Sequence, residues 1–275
     1  MSAMFPNWRY GAFFMFKNSL KEGETIDINK IYNMDCLEGM KEIADKSIDM
    51  ILCDLPYGTT ACKWDTIIPF KPLWEQYERV IKDNGVIVLT ASQPFTSALV
   101  MSNLGMFKYD FTWNKGNTTG FLNSKKMPLR KHEGILVFSK SKIGKFTYNP
   151  QMTKGLLRKK GGYNNKKVAV YNDYKEVTKI NDIYYPTSII EIGTVYRNEN
   201  IHPTQKPVPL FEYLIKTYTN EGETVLDNCI GSGTTAIACI NTNRNYIGFE
   251  LDTGYFNLAN ERIQNHLKEG ETWQN

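Results

Sequence analysis

The run Ile48, Met50, Ile51, Leu52 and Cys53, broken only by Asp49, constrains the fold of this chain most. A short, near-continuous apolar run of this kind reads as a strand buried on both faces of a parallel sheet. Pro56 follows closely and forbids the segment from continuing as a central strand. The chain therefore turns where the Asp54 carboxylate, the Leu55 carbonyl and the Tyr57 ring emerge together. In open α/β sheets the ligand crevice lies outside the carboxyl ends of the strands. An acid and an aromatic ring at that place suit a flat, hydrogen-bonding substrate such as a nucleobase.

The remaining chain alternates between the periods of strand and helix. Ile26, Ile28, Ile31 and Tyr32 give a strand signal, and Leu37 to Ile43 a short helix. Pro72 to Lys82 is amphipathic and helical, with Asn84-Gly85 as its stop, before a buried strand from Val86 to Leu89. Ser92 to Leu104 reads as a helix. Phe107 to Trp113 and Gly134 to Phe138 read as an antiparallel pair of strands at one sheet edge. Helices are expected at Pro209 to Tyr218, Thr234 to Ile240 and Thr253 to Leu267, with strands at Thr224 to Leu226 and Tyr246 to Phe249. This order predicts a doubly wound, mostly parallel, Rossmann-like α/β sheet with an antiparallel edge hairpin. Residues 1–25 read as an N-terminal extension, with Met15 as a candidate alternative start. Residues 26–139 and 187–275 form the two halves of the α/β domain, and residues 140–186 are a polar, basic insertion.

Charge sets that insertion apart. Residues 115–186 carry 16 Lys/Arg against 4 Asp/Glu, whereas the other 17 basic residues are outnumbered by 25 acidic ones. A basic segment with interleaved aromatics inside an acidic body points to a polyanion, and double-stranded nucleic acid is the expected partner. Arg158, Lys159, Lys160, Lys166 and Lys167 are its densest cluster and the candidate DNA contacts. The five cysteines form no C-x-x-C pair and the three histidines are isolated, so neither a disulfide framework nor a metal site is expected. No apolar run approaches the ~20 residues that span a bilayer, so a cytoplasmic protein without a membrane partner is expected.

Val225 to Thr235 reads as a strand, a glycine-rich turn and a helix start. Gly231 and Gly233 let the backbone turn tightly and approach a ligand. Glu250 closes the next strand about 20 residues on, where an acid can take both hydroxyls of a ribose. With Ala236 the loop also fits the dinucleotide fingerprint G-x-G-x-x-A, so a nicotinamide-dependent oxidoreductase stands as an alternative from another class.

Asp54-Leu55-Pro56-Tyr57 resembles the D-P-P-Y signature of amino-group DNA methyltransferases, with Leu55 in place of the usual proline. Residues 226–235, Leu-Asp-Asn-Cys-Ile-Gly-Ser-Gly-Thr-Thr, resemble the cofactor loop of the β class of that family, with Asn228-Cys229 replacing Pro-Phe. His202-Pro203-Thr204-Gln205-Lys206-Pro207 matches its H-P-T-Q-K-P segment, and Asp35-Cys36-Leu37 its G-D-C-L element. The order, catalytic tetrapeptide first and cofactor loop last, is the permuted arrangement of that class. The resemblance implies a site-specific enzyme that moves a methyl group from S-adenosylmethionine to the exocyclic amino group of adenine, with the cytosine-amino reaction as the alternative. It implies that Asp54 and the Leu55 carbonyl accept from the amino group, and that Pro56 shapes the turn. Tyr57 is implied to stack on a base flipped from the duplex. It further implies cofactor contacts from Asp35, Cys36, Asp54, Thr204, Gln205, Lys206, Asp227, Gly231, Ser232, Gly233, Thr234, Thr235 and Glu250. Thr204, Gln205 and Lys206 are expected at its methionine carboxylate. A homodimer and a cognate restriction endonuclease are further partners that the resemblance implies.

Overall fold

A computed structural model describes residues 25–58, 65–160, 179–195 and 205–272. Two units divide the chain, residues 150–187 and the remainder.

The larger unit is built on an eight-stranded sheet. In chain order its elements are β1 (Lys30–Tyr32), α1 (Cys36–Lys41), β2 (Ile48–Cys53), α2 (Phe70–Val80), β3 (Ile81–Ala91), α3 (Phe95–Ser102), β4 (Phe107–Thr119) and β5 (Arg130–Phe138). The smaller unit contributes β6 (Thr153–Lys160) and β7 (Lys179–Tyr184). The larger unit resumes with β8 (Ile189–Glu191), α4 (Val208–Tyr218), β9 (Thr224–Asp227), α5 (Thr234–Asn241), β10 (Asn245–Phe249) and α6 (Thr253–Thr272). The sheet order is β1-β10-β9-β2-β3-β5-β4-β8. Strand β5 runs antiparallel to both its neighbours, and the other pairings are parallel. The expected hairpin of β4 and β5 is present, but it is not the edge, because β8 pairs with β4 outside it. Three residues at Ile189–Glu191 are too few to show a period in sequence.

All six residues of β2 are buried, as its composition requires, and Asp49 is accommodated by partners. Its Oδ1 accepts from Lys82 Nζ at 2.5 Å and its Oδ2 from the Thr224 amide at 3.0 Å. One hydrophobic layer joins Met50, Leu52, Val86 and Val88 to Phe211, Leu214 and Ala238 of α4 and α5. The other joins Ile51, Cys53, Ile87 and Leu89 to Met40, Leu73, Trp74 and Tyr77 of α1 and α2. Each face of the sheet therefore carries its own helices.

The stop expected for α2 at Asn84-Gly85 lies inside β3 instead. The helix ends at Val80, and Ile81 is already extended and pairs with Ile48. Both are β-branched, and the buried strand position wins over helix continuation. Gly85 has a different task. The register of β2 and β3 shifts between Ile48 and Met50, and a Cβ on Gly85 would stand 2.8 Å from the Asp49 carbonyl oxygen. Glycine marks a close backbone approach at a strand irregularity.

In the smaller unit β6 and β7 form an antiparallel ribbon. Gly155 lies against the Tyr184 ring, and the Tyr184 hydroxyl donates to the Leu156 carbonyl at 2.7 Å. Residues 140–149, grouped with the insertion by composition, pack with the larger unit: Phe146 is buried, and the Asn149 amide donates to the Thr217 carbonyl at 2.7 Å. We expect Gly85→Ala to destabilise the fold by about 1–3 kcal/mol through overpacking at the bulge, measured by urea unfolding. Unchanged stability would mean that the irregularity has room for a methyl group.

Candidate active site

Four strands deliver the polar groups to one edge of the sheet. The carboxyl ends of β1, β10, β9 and β2 are neighbours, and they lead into Asp35, Glu250, Asp227 and Asp54 respectively. Three inter-strand spacings of ~4.8 Å make this row about 14 Å long.

Asp54 is the hub of the β2 end. Its Oδ1 accepts from the Tyr57 hydroxyl at 2.7 Å and from the Thr90 hydroxyl at the end of β3. The two hydroxyl oxygens, of Tyr57 and Thr90, lie 3.0 Å apart. The Oδ2 of Asp54 accepts from Lys206 Nζ at 2.6 Å. A carboxylate oxygen has two lone pairs, so Oδ1 is saturated and Oδ2 keeps one. The adjacent Leu55 carbonyl accepts no hydrogen bond among the described residues. The site thus presents two acceptors side by side.

Lys206 is buried and carries a second partner, Glu133 Oε2 at 3.4 Å. Glu133 Oε1 in turn pairs with Lys115 Nζ at 3.0 Å. The result is an alternating row, Lys115, Glu133, Lys206, Asp54. Burial opposes the charge on Glu133, but the ammoniums of Lys206 and Lys115 outweigh it and hold the carboxyl below its usual range. Burial likewise opposes the charge on Lys206, and the Asp54 and Glu133 carboxylates reverse that and raise its pKa. Tyr57 stacks on Phe95 at 5.2 Å between centroids. Burial, then the charges of Asp54 and Glu133, push its phenol well up, so it remains a neutral donor.

The glycine loop is held from three directions. Gly231 and Gly233 adopt φ of 53° and 80°, in the left-handed region. The Gly231 amide donates to Glu250 Oε2 at 2.9 Å, and the Asp252 amide to Oε1 at 2.8 Å. Arg262 of α6 donates to the Ser232 carbonyl at 3.0 Å and to Thr234 Oγ1 at 3.2 Å. Asp227 is buried and accepts from the Thr235 hydroxyl and, at 3.1 Å, from the Cys229 amide. Burial raises its carboxyl to about 7. Asn33 joins the β1 and β10 ends by donating to the Glu250 carbonyl at 2.8 Å.

Several expected residues have other primary partners here. Lys206, expected toward a cofactor carboxylate, has its ammonium on Asp54 and Glu133. The Asp35 Oδ1 caps α1 by accepting from the Leu37 and Glu38 amides. The Cys36 thiol is buried against Asn228, and its pKa is raised by the Cys229 thiol and by burial. Gln205 is half-buried just before α4. Pro56 follows the buried Leu55 side chain in the turn after β2. Arg158 and Lys159 are exposed on β6. Thr204, Lys166, Lys167 and the N-terminal extension lie outside the described residues, and so does the side chain of Lys160.

Sequence reasoning missed Thr90, Lys115, Glu133 and Arg262. Each does its work across long sequence distance, and no short motif contains it. Around the start of α3, Phe95 backs the Tyr57 ring and Ser92 Oγ accepts from Arg130 at 3.0 Å.

The family model for DNA methylases (N6/N4 type) matches residues 48–261, a span that takes in both the Asp54 turn and the glycine loop. The chain belongs to the DNA methylase family. It is 28% identical over 253 residues to the type II methyltransferase M.HpaI of Haemophilus parainfluenzae, covering 85% of this chain and 73% of that protein. The crystal structure of the M1.HpyAVI–SAM complex superposes with a TM-score of 0.58 at 26% identity, covering 85% of this chain and 98% of that one. The cytosine-N4-specific PvuII DNA methyltransferase shares the fold, with a TM-score of 0.62 at 16% identity and 86% of both chains covered. Membership sets aside the nicotinamide reading of the glycine loop.

The buried charge row makes a direct prediction. Glu133→Gln leaves Lys115 without its carboxylate and Lys206 with one anion instead of two. Breaking a buried pair from one side costs about 3–5 kcal/mol, so we expect a loss toward the lower end of that range in urea unfolding. The double variant Lys115→Met with Glu133→Leu should recover part of it. A neutral Glu133→Gln would show that the row is solvated.

Proposed function

We propose that this methylase transfers a methyl group from S-adenosylmethionine to the exocyclic amino group of adenine at a specific sequence in double-stranded DNA. The observation that carries the reading is the pair of acceptors, Asp54 Oδ2 and the Leu55 carbonyl, that the described residues leave open beside the Tyr57 ring. The lone pair of an adenine amino nitrogen is delocalised into the ring. Two acceptors aimed at its two hydrogens draw the nitrogen toward tetrahedral geometry and localise that pair. Tyr57 offers its ring to a base extruded from the duplex. As the new N–C bond forms, the nitrogen must shed one hydrogen as a proton, and Asp54 Oδ2 already accepts it. Aspartate at this position supports adenine over the cytosine-amino alternative.

The residues at the sheet edge fit the cofactor. Each Glu250 oxygen accepts one backbone amide and keeps a lone pair for a ribose hydroxyl. Asp35, at the far end of the row, offers its Oδ2 to an adenine amino group. The loop from Asp227 through Gly231, Ser232, Gly233 and Thr234 to Thr235 lies between them and Asp54. When bound, the cofactor supplies an electrophilic methyl group, and the row is long enough for a nucleoside with an amino-acid tail. Burial makes the Asp54–Lys206 pair the fixed end of that row.

The exposed Arg158 and Lys159, with Lys160, Lys166 and Lys167, are proposed as DNA contacts of a target-recognition region at residues 140–186. We extend the proposal to a cytoplasmic homodimer that acts beside a cognate restriction endonuclease, a role in line with the type II methyltransferases that the chain resembles.

Asp54→Ala removes an acceptor used most fully in the transition state, so turnover should fall by about 100-fold or more while much of the DNA affinity remains. Single-turnover transfer and calorimetry read the two, and near wild-type turnover sinks the reading. Methylation-sensitive sequencing of DNA from expressing cells identifies the base; modified cytosine would move the assignment to the alternative. Neutralising Arg158, Lys159 and Lys160 together should reduce the slope of log affinity against log salt by about 2–3, one per lost phosphate contact. An unchanged slope in a fluorescence-anisotropy titration would place DNA binding elsewhere.

A further inference from the structure

The tip of the β4–β5 hairpin has a composition that the catalytic reading does not use. Ala91, the last residue of β3, pairs with Gly134, so β5 residues 130–133 and the facing part of β4 project past the end of β3 on the side of Asp54. Three residues of extended chain carry the hairpin about 10 Å beyond Glu133. At its tip Phe121 is 79% exposed, Leu122 99% and Met127 59%. These side chains stand on a defined turn. The Asn123 amide donates to Gly120 at 2.9 Å, Ser124 to Phe121 at 3.0 Å and Lys126 to Asn123 at 2.8 Å. Gly120 enters the turn at φ 86°.

Charge identifies the partner. Between Asn114 and His132 the chain has no acidic residue, and Lys125, Lys126, Arg130 and Lys131 flank the apolar tip. A second copy of this hairpin would meet like charge. A nucleic acid offers phosphates for the basic flanks and stacked bases for the apolar tip. The base of the same hairpin is part of the active site, because Glu133 of β5 and Lys115 of β4 form the charge row that ends on Asp54. A reach of about 10 Å compares with the ~8.5 Å depth of the major groove.

We propose that Phe121 and Leu122 form a wedge that enters the DNA stack beside the target base and occupies the space left when that base swings to Asp54. Apolar wedges of this kind pay an unstacking cost and hold the distorted duplex. Lys125 and Lys126 then lie where they meet the phosphates on either side. This inference rests on the DNA reading above and adds the element that keeps the base out.

The test is methyl transfer by the full chain on two duplexes carrying the sequence that methylation mapping defines. In one the target base is paired; in the other it faces an abasic site and is already unpaired. We expect Phe121→Ala with Leu122→Ala to slow single-turnover transfer on the paired duplex by about 10-fold or more, with duplex affinity within about 3-fold. The abasic partner should restore the variant to near wild-type rate, which a folding defect would not allow. Lys125→Ala with Lys126→Ala should instead weaken binding to both duplexes alike. A double variant as fast as wild type on the paired duplex overturns the wedge, as does a loss that the abasic partner fails to restore. If the wild-type chain methylates no DNA at all, the functional reading falls and takes the wedge with it.

Discussion

The ammonium of Lys206, buried between the carboxylates of Asp54 and Glu133, is the contact on which the site depends. Two unlike charges alone at that depth would be a poor source of stability, because desolvation consumes most of the attraction. Here the row continues to Lys115, so each inner charge has opposite charge on both sides. The row also crosses the order of the chain. It joins β4, β5, the turn after β2 and the segment before α4, and so fastens the half carrying the acid to the half carrying the glycine loop. The Asp54 carboxylate is positioned by groups far from it in sequence, while its own tetrapeptide supplies only Tyr57 as a hydrogen-bond partner.

That division explains what sequence could and could not show. Strand β2 was legible to the residue because Ile48–Cys53 is a run with a proline close behind. The glycine loop was legible because a strand, two glycines at positive φ and a helix start must be contiguous. Glu133 was illegible. In sequence it is one charged residue at the inner end of a basic stretch, and only the fold brings Lys115 of β4 and Lys206 against it. The end of α2 was misread for a related reason. Asn84-Gly85 carries a strong stop signal, but the pairing of Ile81 with Ile48 had already ended the helix. A local signal loses wherever a sheet register claims the residue first.

The glycine loop shows the same economy on the cofactor side. Glu250 holds the loop through the Gly231 amide and its own turn through Asp252. Arg262 holds the next two residues from α6. The loop can therefore present backbone groups to a ligand without first being ordered by it, which lowers the entropic cost of binding.

The saturation of Asp54 Oδ1 has a consequence for which bases can be tolerated at all. Among the described residues, Tyr57, Thr90 and Lys206 supply the donors that reach this carboxylate. What remains facing outward is lone-pair density, from Oδ2 and from the Leu55 carbonyl. A base that carries a keto oxygen in place of the amino group brings a third acceptor against these two. Its burial would leave that oxygen unpaired, at a cost of about 1–3 kcal/mol before any repulsion is counted. On the proposed reading, the turn after β2 therefore disfavours hypoxanthine and uracil, the deaminated forms of the amino bases, already at the step of binding.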